Sequence, residues 1–249
     1  KDFYTEFGRL LKEGVYQDFE HKEAITELLR FKSTKEDGYV SLQDYVDRMN
    51  SDQKSIYYIT GTNETALRES PLLEMYREKD LEVLILDDEI DEIIMPSIPS
   101  YKEKDLKSVN RSGAADELKD DSNKDKEKEL KPLIKKIKTI LGEKVKDVKA
   151  SNRLSDSPCC IVADENDPTA QMQEIMRAAG QVGMPEIKPI LEINPNHKIV
   201  KKLAGMRKGK SFDDTVLLLY EQSLLQEGVK LDNPADFVKR LNKIMQKAL

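Results

Sequence analysis

SIYYITGTNETALRESPLLEMYREKDLEVLIL, residues 55–86, is the stretch that decides the fold of the first half of the chain. It opens with the β-rich run SIYYITG, continues with helix-compatible residues that stop before Pro71, and closes with the apolar run EVLIL. Parallel strands need a crossover of about a dozen or more residues, and the interval from Gly61 to Asp80 is long enough for a helix and its turns. The stretch therefore predicts a βαβ unit.

Helices are predicted on both sides of this unit. Before it, apolar side chains recur at helical spacing in two stretches, and a third helix is expected to begin after the capping residue Ser41 and to end near Asn50. After it, the run DDEIDEIIM predicts a short acidic helix that ends before Pro96. The first two apolar stripes consist of Phe3, Phe7, Leu10 and Leu11, and of Ala24, Ile25, Leu28 and Leu29.

The composition changes near the middle of the chain. Residues 102–131 are mostly charged and include no aromatic residue, so this stretch is not expected to form a core of its own. We interpret its middle as a mobile join and place the domain boundary near residue 115. The sequence thus predicts a first domain of residues 1–115 and a second of residues 116–249.

The second domain is predicted to mix helices and strands. Strands are expected in VKDVKAS and SPCCIVAD, and the pair Asp167 and Pro168 is expected to begin a helix that Gly180 ends. Its opening helix has the apolar stripe Leu130, Leu133, Ile134, Ile137, Ile140 and Leu141, and its last two helices are predicted at residues 213–226 and 233–249. The fold class is α+β / α/β, with a helical segment and a small αβα layer followed by a mixed α/β domain that ends in a helical hairpin.

Charge and hydropathy exclude two classes of partner. The 47 acidic against 41 basic residues give a net charge of −6, so no concentrated positive surface for nucleic acid is expected. The mean hydropathy of −0.63 and the lack of any long apolar run argue against a membrane span. Adjacent Cys159 and Cys160 point to opposite faces of a strand, and we expect free thiols in the cytosol. The chain opens at Lys1 without a leader sequence, and we expect an internal fragment.

A methionine-containing stripe on TAQMQEIMRAAGQ is the first candidate for function. Met172, Ile175, Met176 and Ala179 share one helix face, and such a stripe is more often part of a core than a binding surface. Methionine is also flexible and polarizable, which suits a surface that accepts varied apolar partners. Spacing alone leaves both interpretations open.

The closing hairpin is the second candidate. Its two helices have more apolar residues than a hairpin can bury by itself, so it either covers its own domain or meets a second copy in a four-helix bundle. The pattern alone favours neither alternative.

Candidate catalytic and metal-binding groups are sparse. His21 and His197 lie far apart, without cysteine or histidine neighbours at metal-ligand spacing. Gly61 precedes a predicted helix but lacks the lysine and further glycines of a phosphate loop. The acidic run from Asp87 to Glu92 fits a helix start stabilised by negative charge better than a cation site.

Seven long blocks resemble a known family. The blocks are EFGRLLKEGVYQDFEHKEAITELLRFKST, QKSIYYITG, SPLLEMYREKDLEVLILDDEIDE, RLSDSPCCIVADEND, QMQEIMRAAGQ, ILEINPNHKIVKKL and DNPADFVKRLNKIM. Together they are similar to the later part of a bacterial heat-shock protein 90 chaperone of the high-temperature protein G type. The resemblance implies the distal part of the middle domain in residues 1–115 and the carboxy-terminal dimerisation domain in residues 116–249.

The resemblance also implies what this chain lacks. ATP and Mg are expected only in an amino-terminal domain of the parent protein, and the phosphate-contacting arginine of the middle domain would lie upstream of Lys1. We therefore expect no catalytic residue, no cofactor and no enzymatic activity in the chain itself. The absence of an acidic tail peptide favours a bacterial or organellar member of the family. The expected location is the cytoplasm.

The resemblance assigns two sets of residues. Client-binding positions are Met172, Ile175 and Met176 with Glu92 and Ile93, although family members often have aromatic residues where Ile93 and Met176 stand. The positions implied for a four-helix bundle across a homodimer are Leu217, Tyr220, Leu224, Leu241 and Ile244. The expected function is a chaperone fragment that dimerises and contacts partly folded client proteins, with cochaperones as possible partners. The alternative is a pure assembly module that binds no client.

Overall fold

A computed structural model describes residues 2–118, 124–180 and 187–248. The helices are α1 (Asp2–Gln17), α2 (Lys22–Leu28), α3 (Leu42–Arg48), α4 (Glu64–Arg68), α5 (Glu74–Glu78), α6 (Glu89–Ile94), α7 (Lys124–Leu141), α8 (Ala170–Ala178), α9 (Lys198–Gly205), α10 (Lys210–Gln226) and α11 (Pro234–Ala248). The strands are β1 (Phe31–Ser33), β2 (Tyr39–Val40), β3 (Ser55–Thr60), β4 (Val83–Leu86), β5 (Ser100–Tyr101), β6 (Lys104–Ser108), β7 (Asp147–Ala150), β8 (Cys159–Val162) and β9 (Ile190–Ile193). The chain is therefore a mixed α and β protein, as its sequence predicts.

The chain divides into two compact units. The first contains residues 1–110 and 171–182, and the second contains residues 111–170 and 183–249. The division thus falls before the boundary expected near residue 115, and the sequence analysis did not predict that residues 171–182 group with the first unit. The assignment of domains 1–115 and 116–249 to parts of the family fold stays a prediction.

The first unit contains a six-stranded sheet in the order β2-β1-β4-β3-β6-β5. Strand β3 pairs in parallel with β4, with Tyr58 opposite Leu84, and this confirms the βαβ unit. All six residues of β3 are buried, which suits a central strand covered on both faces. One face includes Ile56 and Tyr58 in a core with residues of α1, α3 and α6, while Tyr57 packs on Tyr76 of α5.

Local signals fix several helix ends. Ser41 forms a reciprocal capping box with Asp44, as predicted for α3. Asn233 accepts a hydrogen bond from the Asp236 amide ahead of Pro234, which confirms the predicted start of α11. Gly180, two residues after the end of α8, adopts a positive φ of 79°, a conformation that a residue without Cβ adopts at low cost.

Helix α1 differs from its predicted packing. Val15 is fully buried, whereas Phe3, Phe7 and Leu10 of the predicted stripe are 64%, 46% and 60% exposed. The rings of Phe3 and Phe7 contact each other, with centroids 5.0 Å apart. The face of α1 that includes Phe3, Phe7 and Leu10 is thus in solvent, whereas Tyr4 on another face contacts Tyr39 of β2, with ring centroids 5.3 Å apart.

The charged stretch 102–131 has secondary structure at both ends. The elements at its start were not predicted. Strand β6 pairs in parallel with the buried strand β3, and Ala114 and Ala115 are buried in a 3-10 segment, Ser112–Leu118. The middle of the stretch, where the mobile join was expected, includes residues 119–123, which lie outside the described residues. Pairing with a central strand explains why a charged sequence adopts a β conformation here.

The second unit contains a three-stranded sheet in the order β7-β9-β8, covered by α7, α9 and α10. Both predicted strands, β7 and β8, are confirmed, but their shared neighbour β9 was not predicted. The free thiols of Cys159 and Cys160 are both buried in β8. No described helix is both long and apolar enough to cross a membrane.

The predicted start of α8 is wrong. Asp167 and Pro168 lie before the helix, which begins at Ala170. The Asp167 carboxylate accepts a hydrogen bond from the Lys146 ammonium at 2.7 Å, and its carbonyl accepts one from the Arg111 guanidinium at 2.6 Å. These contacts hold Asp167 in the preceding turn rather than at the end of the helix.

A buried ion pair anchors the second sheet. The Arg153 side chain is fully buried, and its Nε donates to Glu192 Oε2 of β9 at 3.1 Å. A second guanidinium nitrogen of Arg153 donates to the Arg111 carbonyl at 3.0 Å, and Ser151 Oγ donates to Glu192 Oε2 at 2.9 Å. Removal of either charge would leave its partner buried without an opposite charge beside it.

We expect Arg153→Met to lower the free energy of unfolding by about 3–5 kcal/mol, because the buried Glu192 side chain then loses its oppositely charged partner. Urea denaturation followed by circular dichroism measures the change. The control is Arg207→Met at an exposed position of the same unit, which should shift stability by no more than about 0.5 kcal/mol. Equal stability of the two variants would contradict the structural role of the pair.

We expect Cys159 and Cys160 to resist thiol reagents in the native protein. Burial raises the pKa of the Cys159 thiol to about 11 and also raises that of Cys160. Compared with an ordinary thiol of pKa about 8.5, this lowers the reactive thiolate of Cys159 by more than about a hundredfold. Colorimetric thiol titration should show slow modification in buffer and rapid modification of both cysteines in denaturant. Ser100→Cys supplies an exposed control thiol, and native cysteines that react as fast as this control would refute the buried placement.

Candidate functional site

The methionine-bearing helix α8 is open to solvent. None of its nine residues is buried, and Met172, Ile175 and Met176 are all partly exposed. Within the first unit, Gln171 Nε2 donates to the Gly61 carbonyl at 3.3 Å and ties the start of the helix to the end of β3. The interpretation of this stripe as a buried core face is therefore not supported within its own unit.

Helix α6 presents its two predicted site residues differently. Ile93 is 38% exposed, whereas Glu92 is only 6% exposed. Successive side chains of an α-helix point about 100° apart. When one side of α6 packs against its unit, Glu92 can therefore be buried while Ile93 is exposed. Ile93 is available to a partner on the surface, while Glu92 is not.

An ion pair that sequence analysis missed holds α6 in place. Lys12 of α1, which is 7% exposed, places its Nζ 2.7 Å from Asp91 Oδ1, and Asp91 is 1% exposed. Burial raises the pKa of the Asp91 carboxyl to about 6, while the nearby Lys12 ammonium acts in the opposite direction. The pair links α1 to the helix that presents Ile93. The sequence feature that could have indicated this pair is Lys12 itself, a lysine between the apolar Leu11 and the later Val15 of the same helix.

The closing hairpin divides the predicted interface residues into two groups. Tyr220 is buried in the core of the second unit, and its hydroxyl donates to the Lys144 carbonyl at 3.0 Å. Leu217 and Leu224 are partly exposed at the edge of that core, and Leu241 and Ile244 of α11 are also partly exposed. Tyr220 thus belongs to its own unit, and the other four residues retain surface for a partner.

Further apolar surface lies on the same hairpin. Leu225 of α10 is 47% exposed, and Val238 and Met245 of α11 are 49% and 51% exposed. One face of α10 covers its own sheet through Phe212, Val216 and Leu219. The hairpin therefore covers its own domain with α10 and leaves apolar side chains of α11 in solvent.

The sparse candidates for catalysis have structural roles. His21 precedes α2 and His197 caps α9, where its Nδ1 accepts from the Ile199 amide. A Cβ at Gly61 would lie 2.6 Å from the Leu67 side chain, so a larger residue there would displace Leu67. Among the residues described, no group of three or more His, Cys, Asp or Glu side chains is placed to hold a metal ion.

Comparison with known proteins identifies the family. The family model described as "Hsp90 protein" matches residues 1–249. The chain is 52% identical to the Chaperone protein HtpG of Treponema denticola over 98% of its length, and 47% identical to that of Legionella pneumophila over 98%. It is also 46% identical to the Chaperone protein HtpG of Borreliella burgdorferi over 99% of its length.

The chain spans about two fifths of the length of these relatives, with 39% of the Treponema denticola protein and 40% of the other two covered. Activities of the whole relatives therefore remain proposals for this chain.

Two expectations do not stand after these comparisons. We expected no enzymatic activity in the chain, and we expected ATP and Mg only in a part of the parent protein outside it. The Hsp90 protein model matches the chain over its full length, and similarity to HtpG covers nearly all of it. Because this match covers the whole chain, it does not support excluding ATP, Mg or enzymatic activity from the chain. Both expectations are therefore withdrawn.

A nucleotide site needs groups that hold phosphate and, commonly, ligands for a metal ion. Gly61 precedes α4 without the lysine and further glycines of a phosphate loop, and the described residues include no group of acidic side chains placed to hold a metal ion. We therefore assign no residue to ATP or Mg and derive no step through them. What the full-length match and the relatives do establish is that the chain belongs to the Hsp90 protein family.

Proposed function

We propose that this chain acts as part of a cytoplasmic molecular chaperone that holds partly folded proteins. The observation that carries the proposal is helix α8, whose apolar side chains Met172, Ile175 and Met176 remain partly exposed in the folded chain. Large apolar residues left on a surface in a group are typical of sites for protein partners. The relatives named Chaperone protein HtpG support the same function.

The side chains of α8 suit varied partners. Methionine has three rotatable bonds and a polarizable sulfur, so it adapts to apolar surfaces of different shape. Ile93 of α6 is a further exposed apolar residue of the same unit, although Glu92 beside it is buried. We propose weak, adaptable contacts with exposed apolar segments of client proteins, with Ile93 rather than Glu92 at the surface.

We also propose that the chain forms a homodimer through α10 and α11. The partly exposed Leu217, Leu224, Leu241 and Ile244 and the exposed Val238 and Met245 support this proposal. A standard interface buries about 800 Å² on each partner, and apolar area contributes about 25 cal/mol per Å² before the cost of association. In this proposal the first unit corresponds to the distal middle domain of the family and the second to its dimerisation domain, with cochaperones as further partners.

Serine at positions 172, 175 and 176 should weaken client capture without unfolding the chain. Partial burial of these three side chains against a client is worth more than about 1.4 kcal/mol, so the triple variant should capture an unfolded client at least about tenfold less well. Suppression of aggregation of a heat-denatured reporter protein measures capture.

A matched triple variant controls for changes to the helix itself. Gln173→Ser, Glu174→Ser and Arg177→Ser alter the polar positions of α8 and should preserve capture. Unchanged capture by the Met172, Ile175 and Met176 variant, with the dimer intact, is the result expected of a pure assembly module and would exclude the client-binding proposal.

Leu241→Glu should convert the dimer to monomers. The substitution places an unpaired charge in an apolar interface, which costs several kcal/mol and raises the dimer dissociation constant by more than about a hundredfold. Sedimentation equilibrium measures the effect. Asn242→Glu introduces the same charge at the next, exposed position of α11 and should leave the dimer unchanged. If the Leu241 variant stays folded and dimeric, the proposed dimer interface through α10 and α11 is wrong.

A further inference from the structure

The second unit contains a strongly cationic stretch that the proposed function does not use. Residues 198–210, KIVKKLAGMRKGK, include six basic residues and no acidic residue, in a chain whose net charge is −6. All six basic residues are exposed, and we call them the cationic surface. They are Lys198, Lys201 and Lys202 of α9, Arg207 and Lys208 of the connection that follows, and Lys210 at the start of α10.

Packing directs the three lysines of α9 to one side. Val200 and Leu203 of this helix are buried in the core of the second unit. Because successive residues of an α-helix point about 100° apart, the lysines lie on the side opposite to these two. Met206 packs against the same core and anchors the connection to α10. The two cations of that connection therefore lie next to the end of α9.

Two further lysines reach the start of α10 from other helices. The Lys136 ammonium of α7 lies 6.0 Å from the ring centroid of Phe212. The Lys247 ammonium of α11 donates to Ser211 Oγ at 3.1 Å. Because Ser211 and Phe212 directly follow Lys210, the positive charge extends over parts of several helices and is not confined to one segment.

The cationic surface lacks acidic partners. None of its six residues forms an ion pair or a side-chain hydrogen bond with another residue that the structure describes. By contrast, Lys138, Lys146 and Lys243 of the same unit each lie within 2.7 Å of an aspartate oxygen. Uncompensated positive charge is therefore concentrated on this surface.

This placement of charge disfavours the helices that carry it. Lys198 and Lys202 are four residues apart on α9, and like charges at this spacing repel each other. Lys198 and Lys210 also occupy the first positions of α9 and α10, where the helix dipole favours negative charge. Negative charge supplied by a partner would relieve both effects.

Acidic side chains fit this surface better than nucleic acid or lipid. Single strands stack their bases on exposed aromatic rings, whereas the neighbouring Phe212 ring is fully buried. A helix that binds a membrane inserts its apolar face, and the apolar face of α9 is in the core. Helix α9 is about 12 Å long, a length that about four residues of an extended peptide cover.

We propose that the cationic surface binds a short acidic segment of a partner protein, whose Asp and Glu carboxylates pair with the lysines of α9 and the cations that follow it. Complementary charges of this kind speed association and fix the orientation of the partner. The inference goes beyond the proposed function, because it uses none of the residues assigned to client binding or to the dimer.

A fluorescein-labelled peptide of Glu-Asp-Ser repeats tests the inference on the full chain by fluorescence anisotropy. The triple variant Lys198→Gln, Lys201→Gln and Lys202→Gln should bind it at least about tenfold more weakly, because three charge pairs are lost. Glutamine is a good helix former, so circular dichroism should show an unchanged fold.

A matched triple variant controls for net charge. Lys149→Gln, Lys230→Gln and Lys239→Gln remove three exposed charges elsewhere in the same unit and should change binding by less than about twofold. Binding should also weaken when NaCl rises from about 50 mM to about 500 mM, since salt screens exposed charges. A neutral peptide of Gln-Asn-Ser repeats should not bind.

Several results would overturn the inference. These are no binding of the acidic peptide to the wild type at low salt, equal binding by the wild type and the α9 variant, and equal losses in the two triple variants. Tighter binding of a single-stranded oligonucleotide or of phosphatidylserine vesicles, lost in the α9 variant, would assign the surface to nucleic acid or membrane instead.

Discussion

The size of the sheet in the second unit constrains the rest of the structure, because three strands bury only one side of a long helical hairpin. Phe212, Val216 and Leu219 of α10 enter the core with α7, β8 and β9. The hydroxyl of Tyr220 donates to the Lys144 carbonyl and holds α10 to the 3-10 turn Gly142–Lys144 that follows α7. Helix α11 rests on α10, and its Val238 and Met245 remain about half exposed. Apolar surface of this kind stabilises the folded chain further only when something covers it.

Two apolar surfaces of the chain differ in the specificity that their residues allow. Helix α8 offers flexible methionines with the Glu174–Arg177 ion pair on its exposed polar side, an arrangement that imposes no register on a partner. The hairpin offers branched Leu and Ile side chains. These have better-defined rotamers than methionine and favour one partner in one orientation. We therefore associate α8 with many transient partners and the hairpin with a second copy.

Sequence patterns predicted the elements whose signals are local. Ser41, Asn233 and Gly180 mark helix ends through capping and backbone freedom, and short strand-like runs predicted β3, β4, β7 and β8. Strand β6 was missed because its charged residues become a strand only through pairing with β3. The start of α8 was predicted at Asp167 because competition from Lys146 and Arg111 depends on distant segments. Exposure of Phe3 and Phe7 and burial of Glu92 could not be predicted either, since helical spacing identifies a stripe without showing what covers it.

The sequence predicted which residues belong to the candidate surfaces, but not how deeply each is buried or what it contacts. Periodicity placed Leu217, Tyr220 and Leu224 on one helix, and in the structure Tyr220 is buried in the core of its own unit. The cationic surface was missed because a run of charges is usually a solvated face, and its lack of acidic partners among the described residues appears only when the helices are packed. The most direct test of dimerisation is the mass of the chain in solution, measured by sedimentation equilibrium across a range of concentrations. The expected mass is twice the single-chain mass of 28.5 kDa, and a single-chain mass at every concentration would contradict dimerisation.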